Sequence, residues 1–183
     1  MNINFDLKKL NPRRMDRRGQ VLMGILIIAL IAGGYYAVTV RSESRVSRAL
    51  ARMPAGTVEL INDAGENISI NVKIAETSND RSTGFKNSGS VTVDNTVIFL
   101  RYTINTISTH TMDNVRAPLD IAFFSQEGDL IEVVQTELGT GERYAPADRV
   151  RYRYALMARR GYMEEMGIST PGQSRIILES LSR

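Results

Sequence analysis

A single histidine, His110, stands in this sequence, inside the run that gathers the other residues able to do chemistry: Thr109 to Val134, THTMDNVRAPLDIAFFSQEGDLIEVV. A lone imidazole can serve as a general base when a carboxylate orients it, and Asp113 and Asp120 are the carboxylates of this run placed to do so. Any Ser-His-Asp triad would have to use His110, and one histidine excludes a multi-histidine metal site within the chain. The sequence holds no cysteine, which excludes disulfides, thiolate metal centres and a cysteine nucleophile. Asp113, Asp120, Glu127 and Asp129 offer hard oxygen donors but lack the spacing of a calcium loop. The reading therefore assigns no catalytic residue, no metal and no cofactor. Beside Thr and Ser, a histidine is more often a hydrogen-bonding residue than a base. Asp120, after Pro118-Leu119 and before a strand, suits capping of turn amides better than acid-base work. If the domain binds a small molecule or glycan, or is a weak hydrolase, the pocket candidates are His110, Met112, Asn114 and Asp120.

These residues need elements to hold them. Ile121 to Phe124 and Leu130 to Val134 flank Gln126-Glu127-Gly128-Asp129, a hairpin with glycine at the special turn position. Upstream, apolar residues alternate from Thr57: Thr57 to Ile61 is a strand, NDAGEN a turn, and Ile68 to Ala75 a second strand. A short helix follows, capped by Thr77 or Ser78 and ended by Gly84. Val91 to Val93, Val97 to Tyr102 and Thr106 to Thr111 read as further strands. Leu138 to Arg149 reads as a loop, Tyr152 to Met157 as a strand, Gly161 to Met166 as a short helix, and Ser174 to Leu178 as the last strand. The expected fold is mainly β, a small barrel or sandwich of short strands with two short helices, plus one N-terminal transmembrane helix.

The charge is unevenly placed. Residues 1–20 carry Lys8, Lys9, Arg13, Arg14, Arg17 and Arg18 against Asp6 and Asp16; residues 21–40, VLMGILIIALIAGGYYAVTV, carry no charge. Residues 41–53 carry Arg41, Arg45, Arg48 and Arg52 against Glu43, while residues 54–183 hold 13 basic against 17 acidic side chains. The basicity thus belongs to the flanks of an apolar span, which argues against nucleic-acid binding. A run of about 20 apolar residues at ~1.5 Å per residue crosses the ~30 Å hydrocarbon core, where only a helix satisfies the backbone. Tyr35 and Tyr36 suit an interface, and the denser N-terminal basic flank places residues 1–20 in the cytoplasm. A cleaved signal peptide is the alternative, but its apolar core would be shorter. The organisation read is a basic cytoplasmic tail (1–20), a transmembrane helix (21–40), a juxtamembrane helix or linker (41–56) and an extracytoplasmic domain (57–183). The location implied is a bacterial inner membrane, single-pass, with the main domain periplasmic.

Two stretches suggest a partner surface. In Ser42 to Met53, Val46, Ala49, Leu50 and Met53 form a one-sided apolar stripe, which either packs on its own domain or docks on a neighbouring subunit. In Val150 to Leu156, strand alternation sets Arg151 and Arg153 on one face and Tyr152 and Tyr154 on the other. Arginine and tyrosine are frequent at interfaces, and a solvated face over a tyrosine core reads equally well. The interface candidates are Val46, Leu50, Arg151 and Arg153.

Several segments resemble the domain-of-unknown-function family numbered 192. NVKIAETSNDRSTGF is similar to its opening strand and ADTPEERARGL-like segment, with Ala75, Thr77, Arg81 and Gly84 matching, and NTVIFL resembles its GMLFVF strand. TMDNVRAPLDIAFFSQEGDLIEV resembles its most specific motif, WMKNTLIPLDILFLDADGRVV, through Met112, Asn114, Pro118, Leu119, Asp120, Ile121, Phe123 and Gly128. YALMARRGYMEEMGISTPGQSRIIL resembles the closing segment through Gly161, Gly167, Pro171 and Gly172. The resemblance spans about residues 68–178. It implies a small, mainly β domain, often exported or membrane-anchored, with no established activity. This chain departs from the pattern where His110-Thr111 replace an aromatic pair, Asp113 a lysine, Arg116-Ala117 a Leu-Ile, and Phe85-Lys86 a Leu-Met.

The functional expectation is a single-pass, membrane-anchored extracytoplasmic accessory or assembly subunit with no chemistry of its own. It would meet lipid through its N-terminal helix and pack on other subunits of a larger integral-membrane complex, energy-transducing or photosynthetic. The alternative is the binding module, or weak hydrolase, with its cleft near His110 and Asp120.

Overall fold

Helical spacing gives way to alternation in this sequence, and the computed structural model, which describes residues 17–179, divides nearby. One compact unit ends at Ser42 and the second begins at Glu43. Most of the expected basic tail, residues 1–16, lies outside the described residues.

The described part of the first unit is helical: α1 (Arg17–Glu43) begins before the expected span and continues past it through Arg41. Its stretch Met23–Glu43 has a mean hydropathy of 2.0, long and apolar enough to cross a membrane. The four consecutive residues Ile25, Leu26, Ile27 and Ile28 are all exposed, so the apolar surface runs round the helix and forms no stripe. Thr39 Oγ1 donates to the Tyr35 carbonyl at 2.9 Å, which satisfies its hydroxyl within the helix.

The expected helix over Ser42 to Met53 is not continuous. Ser47 is extended and its Oγ accepts the Leu50 amide at 3.2 Å, so a new helix, α2 (Arg48–Arg52), starts there. Leu50 and Met53 turn into the core of their own domain while Val46 is exposed, which splits the apolar stripe.

Strands β1 (Ala55–Ile61) and β2 (Asn67–Ala75) form an antiparallel pair. Helix α3 (Ser78–Thr83) is capped by Thr77, whose Oγ1 accepts the Asp80 amide at 3.1 Å, and ends at Gly84. The expected strand over Val91 to Val93 is instead helix α4 (Ser90–Asp94). Next come β3 (Ile98–Thr106), β4 (His110–Thr111), β5 (Leu119–Phe124) and β6 (Leu130–Gln135). The expected loop over 138–149 contains β7 (Arg143–Tyr144) and a 3-10 turn (Ala147–Arg149). Strand β8 (Tyr152–Arg159), helix α5 (Tyr162–Glu165) and β9 (Arg175–Ile176) complete the domain.

Among the described residues, seven strands form one sheet in the order β6-β5-β8-β3-β2-β1-β9, and β4 and β7 make a separate ribbon. Every described pairing in the large sheet is antiparallel except β2 with β3. The sheet curls into a half-barrel. Its two ends are tied by the last strand: β9 pairs with β1, while the Leu130 amide donates to Ser174 O (2.9 Å) and the Ile176 amide to Gly128 O (2.8 Å). Gly128 has φ 92°, and a Cβ there would lie 2.7 Å from the Ile176 carbonyl oxygen, so this turn requires glycine twice over.

The fold is mainly β, as expected, with more short helices than expected. Its sheet buries both faces, because β5 is buried at all six positions. Val58, Leu60, Phe99, Phe124, Leu130, Met163 and Ile176 fill the concave side. Leu50, Phe85, Val93, Leu100, Ile121, Phe123 and Tyr152 pack on the other side, under α2, the α3–α4 connection and the small ribbon. Alternation along β5 assigns Leu119, Ile121 and Phe123 to the outer core and Ala122 and Phe124 to the inner one.

Candidate functional site

The motif residues separate according to this two-faced sheet. Asp120 lies between Leu119 and Ile121 and therefore faces inward, where its Oδ2 accepts the Met163 amide at 3.2 Å at the start of α5. Burial raises its carboxyl above the ordinary value, and the Met163 and Gly161 amides and nearby Arg160 and Arg159 act against that rise. Its Oδ1 is buried and has no hydrogen-bond partner among the described residues. Asp120 thus pins α5 to the sheet.

His110 lies across the sheet from it, on the outer core. Its ring stands 5.8 Å from Phe123, and its Nε2 is 3.0 Å from the Tyr152 hydroxyl. That hydroxyl donates to the Ser108 carbonyl at 2.8 Å. A phenol has one proton and a carbonyl can only accept, so His110 is the donor to Tyr152 and its neutral form carries the proton on Nε2. Burial lowers the His110 pKa to about 4, which keeps it neutral at neutral pH. Burial also pushes the Tyr152 hydroxyl up. With the sheet between them, His110 and Asp120 cannot form the base and orienter considered above. The Asp113 carboxylate accepts from Thr111 Oγ1 at 2.8 Å and is exposed.

Asn114 has φ 59°, a left-handed conformation that asparagine tolerates, and its carbonyl accepts the Asn87 amide at 2.9 Å. This holds the Met112–Val115 turn against the α3–α4 connection. Leu119 exchanges backbone and side-chain bonds with Thr136: its amide donates to Thr136 Oγ1 at 2.8 Å and its carbonyl accepts the Thr136 amide at 2.8 Å. The M-x-N-x-x-x-P-L-D-I core therefore fixes a turn and a strand start.

The same turn frames a cleft of about 310 Å³ between α3 and the small ribbon. Of the four pocket candidates, His110 and Met112 line it together; Asn114 lines a separate depression of about 420 Å³ with Met112, Asp113, Gly139 and Gly141, and Asp120 is on the far face. The cleft floor is apolar, with Phe85, Leu119, Ile121 and Met157 beneath Met112 and Val115. Among the described residues, its walls bring together three cations, Arg81, Lys86 and Arg143, and no carboxylate. Arg81 is held rigidly: it donates to the Glu76 carbonyl, to the Arg101 carbonyl at 3.1 Å and to Ser78 Oγ at 3.4 Å, and lies 4.6 Å over the Tyr102 ring. A second depression of about 440 Å³ shares Arg81, Ser82, Thr109 and His110 with the first.

Sequence reasoning passed over these cations. Arg81 could be found as a match to the family motif, and Lys86 as a departure from it. Arg143 gave no signal, because β7 read as loop.

The interface candidates also separate. Leu50 is 1% exposed and belongs to the outer core, so it is not a docking residue. Val46 and Arg151 are exposed. The expected arginine–tyrosine alternation fails because the β3–β8 register shifts between Arg101 and Thr106. Tyr152 enters the outer core, while Tyr154 packs on the inner core and stacks 5.8 Å from Phe99. Arg153 is half-buried and its Nε is enclosed with no hydrogen-bond partner among the described residues.

A family model, DUF192, described as Uncharacterized ACR, matches residues 59–176, more than half of the 183-residue chain. No curated protein matches it. Among solved structures, a proposed transcription regulator from Sinorhizobium meliloti is similar at TM-score 0.60 and 19% identity, covering 72% of this chain and 95% of its own. A protein of unknown function from Novosphingobium aromaticivorans is similar at TM-score 0.58 and 17% identity, covering 74% and 95%. At these identities the likeness is one of fold.

Proposed function

This chain belongs to the DUF192 family, and on that premise we propose that it is a membrane-tethered, extracytoplasmic accessory subunit with no chemistry of its own. The family supplies a fold and no reaction, so the reading rests on the molecule's own features. One observation carries it: a helix that is apolar on every face, Met23–Glu43, is joined to a separately folded β domain. Such a helix in water would expose a continuous apolar surface, which a bilayer covers. The net positive charge of residues 1–20 favours keeping that end in the cytoplasm, which directs the β domain outward. Val46, Val91, Ile104 and Ile107, exposed on the β domain, supply apolar contact area for neighbouring membrane subunits. Extraction of native membranes in mild detergent, followed by sizing, tests the accessory role. The protein is expected to migrate with a larger particle; recovery only as a free monomer overturns it.

A second reading is favoured by the cleft. Its apolar floor and the polar and charged side chains on its walls, His110, Arg81, Lys86 and Arg143, are the features of a small-molecule binding module.

A further inference from the structure

We propose that the cleft between α3 and the β4–β7 ribbon binds a small organic anion, a carboxylate with an apolar body. The inference rests on the binding-module reading and names its ligand class. Three observations lead to it.

The first is charge. Residues 54–183 carry more acidic than basic side chains, 17 against 13, yet the described residues lining this cleft include Arg81, Lys86 and Arg143 and no acid. The ion pairs among the described residues are Arg101–Glu76, Arg159–Glu165 and Arg160–Glu137, so none of these three cations is neutralised by a carboxylate there. Cations gathered against the domain's overall sign, on a wall partly shielded from water, set up a local potential that favours an anion.

The second is preorganisation. Arg81 is fixed by two backbone carbonyls, a serine hydroxyl and the Tyr102 ring. None of these neutralises its charge, so binding an anion costs little further ordering of that side chain. Lys86 is half-buried and Arg143 exposed, which leaves both able to reach a ligand head group. His110 stays neutral at neutral pH, so the positive charge of the cleft comes from Arg81, Lys86 and Arg143.

The third is the floor. Phe85, Leu119 and Ile121, 2%, 2% and 0% exposed, close the bottom of the cleft, and the half-buried Met112 and Val115 supply its accessible apolar surface, with methionine able to accommodate varied apolar shapes. A free inorganic anion would leave this surface wet, whereas an apolar body covers it. The volume, about 310 Å³, lies at the small end of ligand pockets and suits a small molecule.

The full chain in lipid nanodiscs, titrated with 4-fluorobenzoate and followed by fluorine NMR, tests the proposal; empty nanodiscs correct for partitioning. The neutral analogue 4-fluorobenzyl alcohol is run in parallel. Saturable binding of 4-fluorobenzoate near the millimolar range is expected, roughly tenfold tighter than the alcohol and roughly tenfold weaker in the Lys86→Glu, Arg143→Glu double variant. Both substitutions lie on the cleft wall outside the core, and retention of the wild-type unfolding midpoint is checked alongside. Equal affinity for acid and alcohol, or unchanged affinity in the double variant, overturns the anion class and leaves the binding module standing. Saturable binding of neither compound overturns both.

Discussion

Acidification from about pH 7.5 to about pH 5 is expected to cost the β domain roughly 2 kcal/mol of stability through His110 alone. In the folded chain the imidazole is enclosed between Phe123 and Tyr152, and burial holds its pKa at about 4. In the unfolded chain it titrates near 6.5. Between these values the unfolded state binds the proton and the folded state does not. Stability therefore rises with pH across this window, is fully present above about 6.5, and falls as pH drops towards 4. Carboxylates titrate at the lower edge as well, so the informative quantity is the difference between wild type and His110→Gln. Glutamine keeps an N–H that can donate towards the Tyr152 hydroxyl and removes the titration. Urea unfolding followed by tyrosine emission should show a wild-type loss on acidification that is about 2 kcal/mol larger than the variant's. Parallel pH profiles for the two proteins would contradict a buried, neutral His110.

The second large effect concerns the closure of the half-barrel. Strand β9 is two residues long, too short to hold the sheet ends together by its own ladder. Asp63, in the β1–β2 turn, supplies the missing anchorage. Its Oδ2 accepts Ser169 N (3.0 Å), Ser169 Oγ (2.7 Å) and Thr170 N (2.9 Å), and its Oδ1 accepts Ser174 Oγ. Burial acts to raise this carboxyl, but the bonds from Ser174, Ser169 and Thr170 outweigh it and hold it below the ordinary carboxylate value. These bonds cross more than 100 residues of chain and fix the segment that leads into β9. Asp63→Asn keeps the shape but turns an N–H donor towards groups that are themselves donors, and it removes the charge. The expected cost is about 2 kcal/mol. It should be concentrated at the closure: amide exchange at Leu130 and Ile176, which bond Ser174 O and Gly128 O, should rise far more than at β5 or β8. Uniform acceleration across the sheet would show that Asp63 does not act on the closure.

The alternating strands were legible because the half-barrel buries apolar residues at period two, as in Val58 and Leu60 or Ile70 and Val72. Alternation could not reveal that the sheet is buried on both sides. That hid the separation of His110 from Asp120, two residues that look like partners in sequence. Helix α4 was missed because SVTVD is rich in β-branched residues; tertiary contacts override that preference, with the Gly89 amide and Thr92 Oγ1 both bonding the Arg45 carbonyl. The helix over Ser42 to Met53 broke because Ser47 caps better than it propagates. The Tyr152–Tyr154 face was lost to a register shift, which leaves no mark in a hydrophobic pattern. The cleft cations, at positions 81, 86 and 143, meet only through tertiary folding and through a two-residue ribbon strand that the sequence hides.

The claim that the helix holds the β domain on the outer face of a membrane has a direct test, because the chain contains no cysteine. A single Gln126→Cys variant places a thiol in the exposed β5–β6 turn, and Asn2→Cys places one in the basic tail. Labelling intact spheroplasts with a membrane-impermeant maleimide should modify Gln126→Cys at once and Asn2→Cys only after permeabilisation. Both variants should stay with the membrane at full length. Protection of Gln126→Cys before permeabilisation, or release of a shortened domain lacking the helix, would contradict an outward-facing, tethered protein.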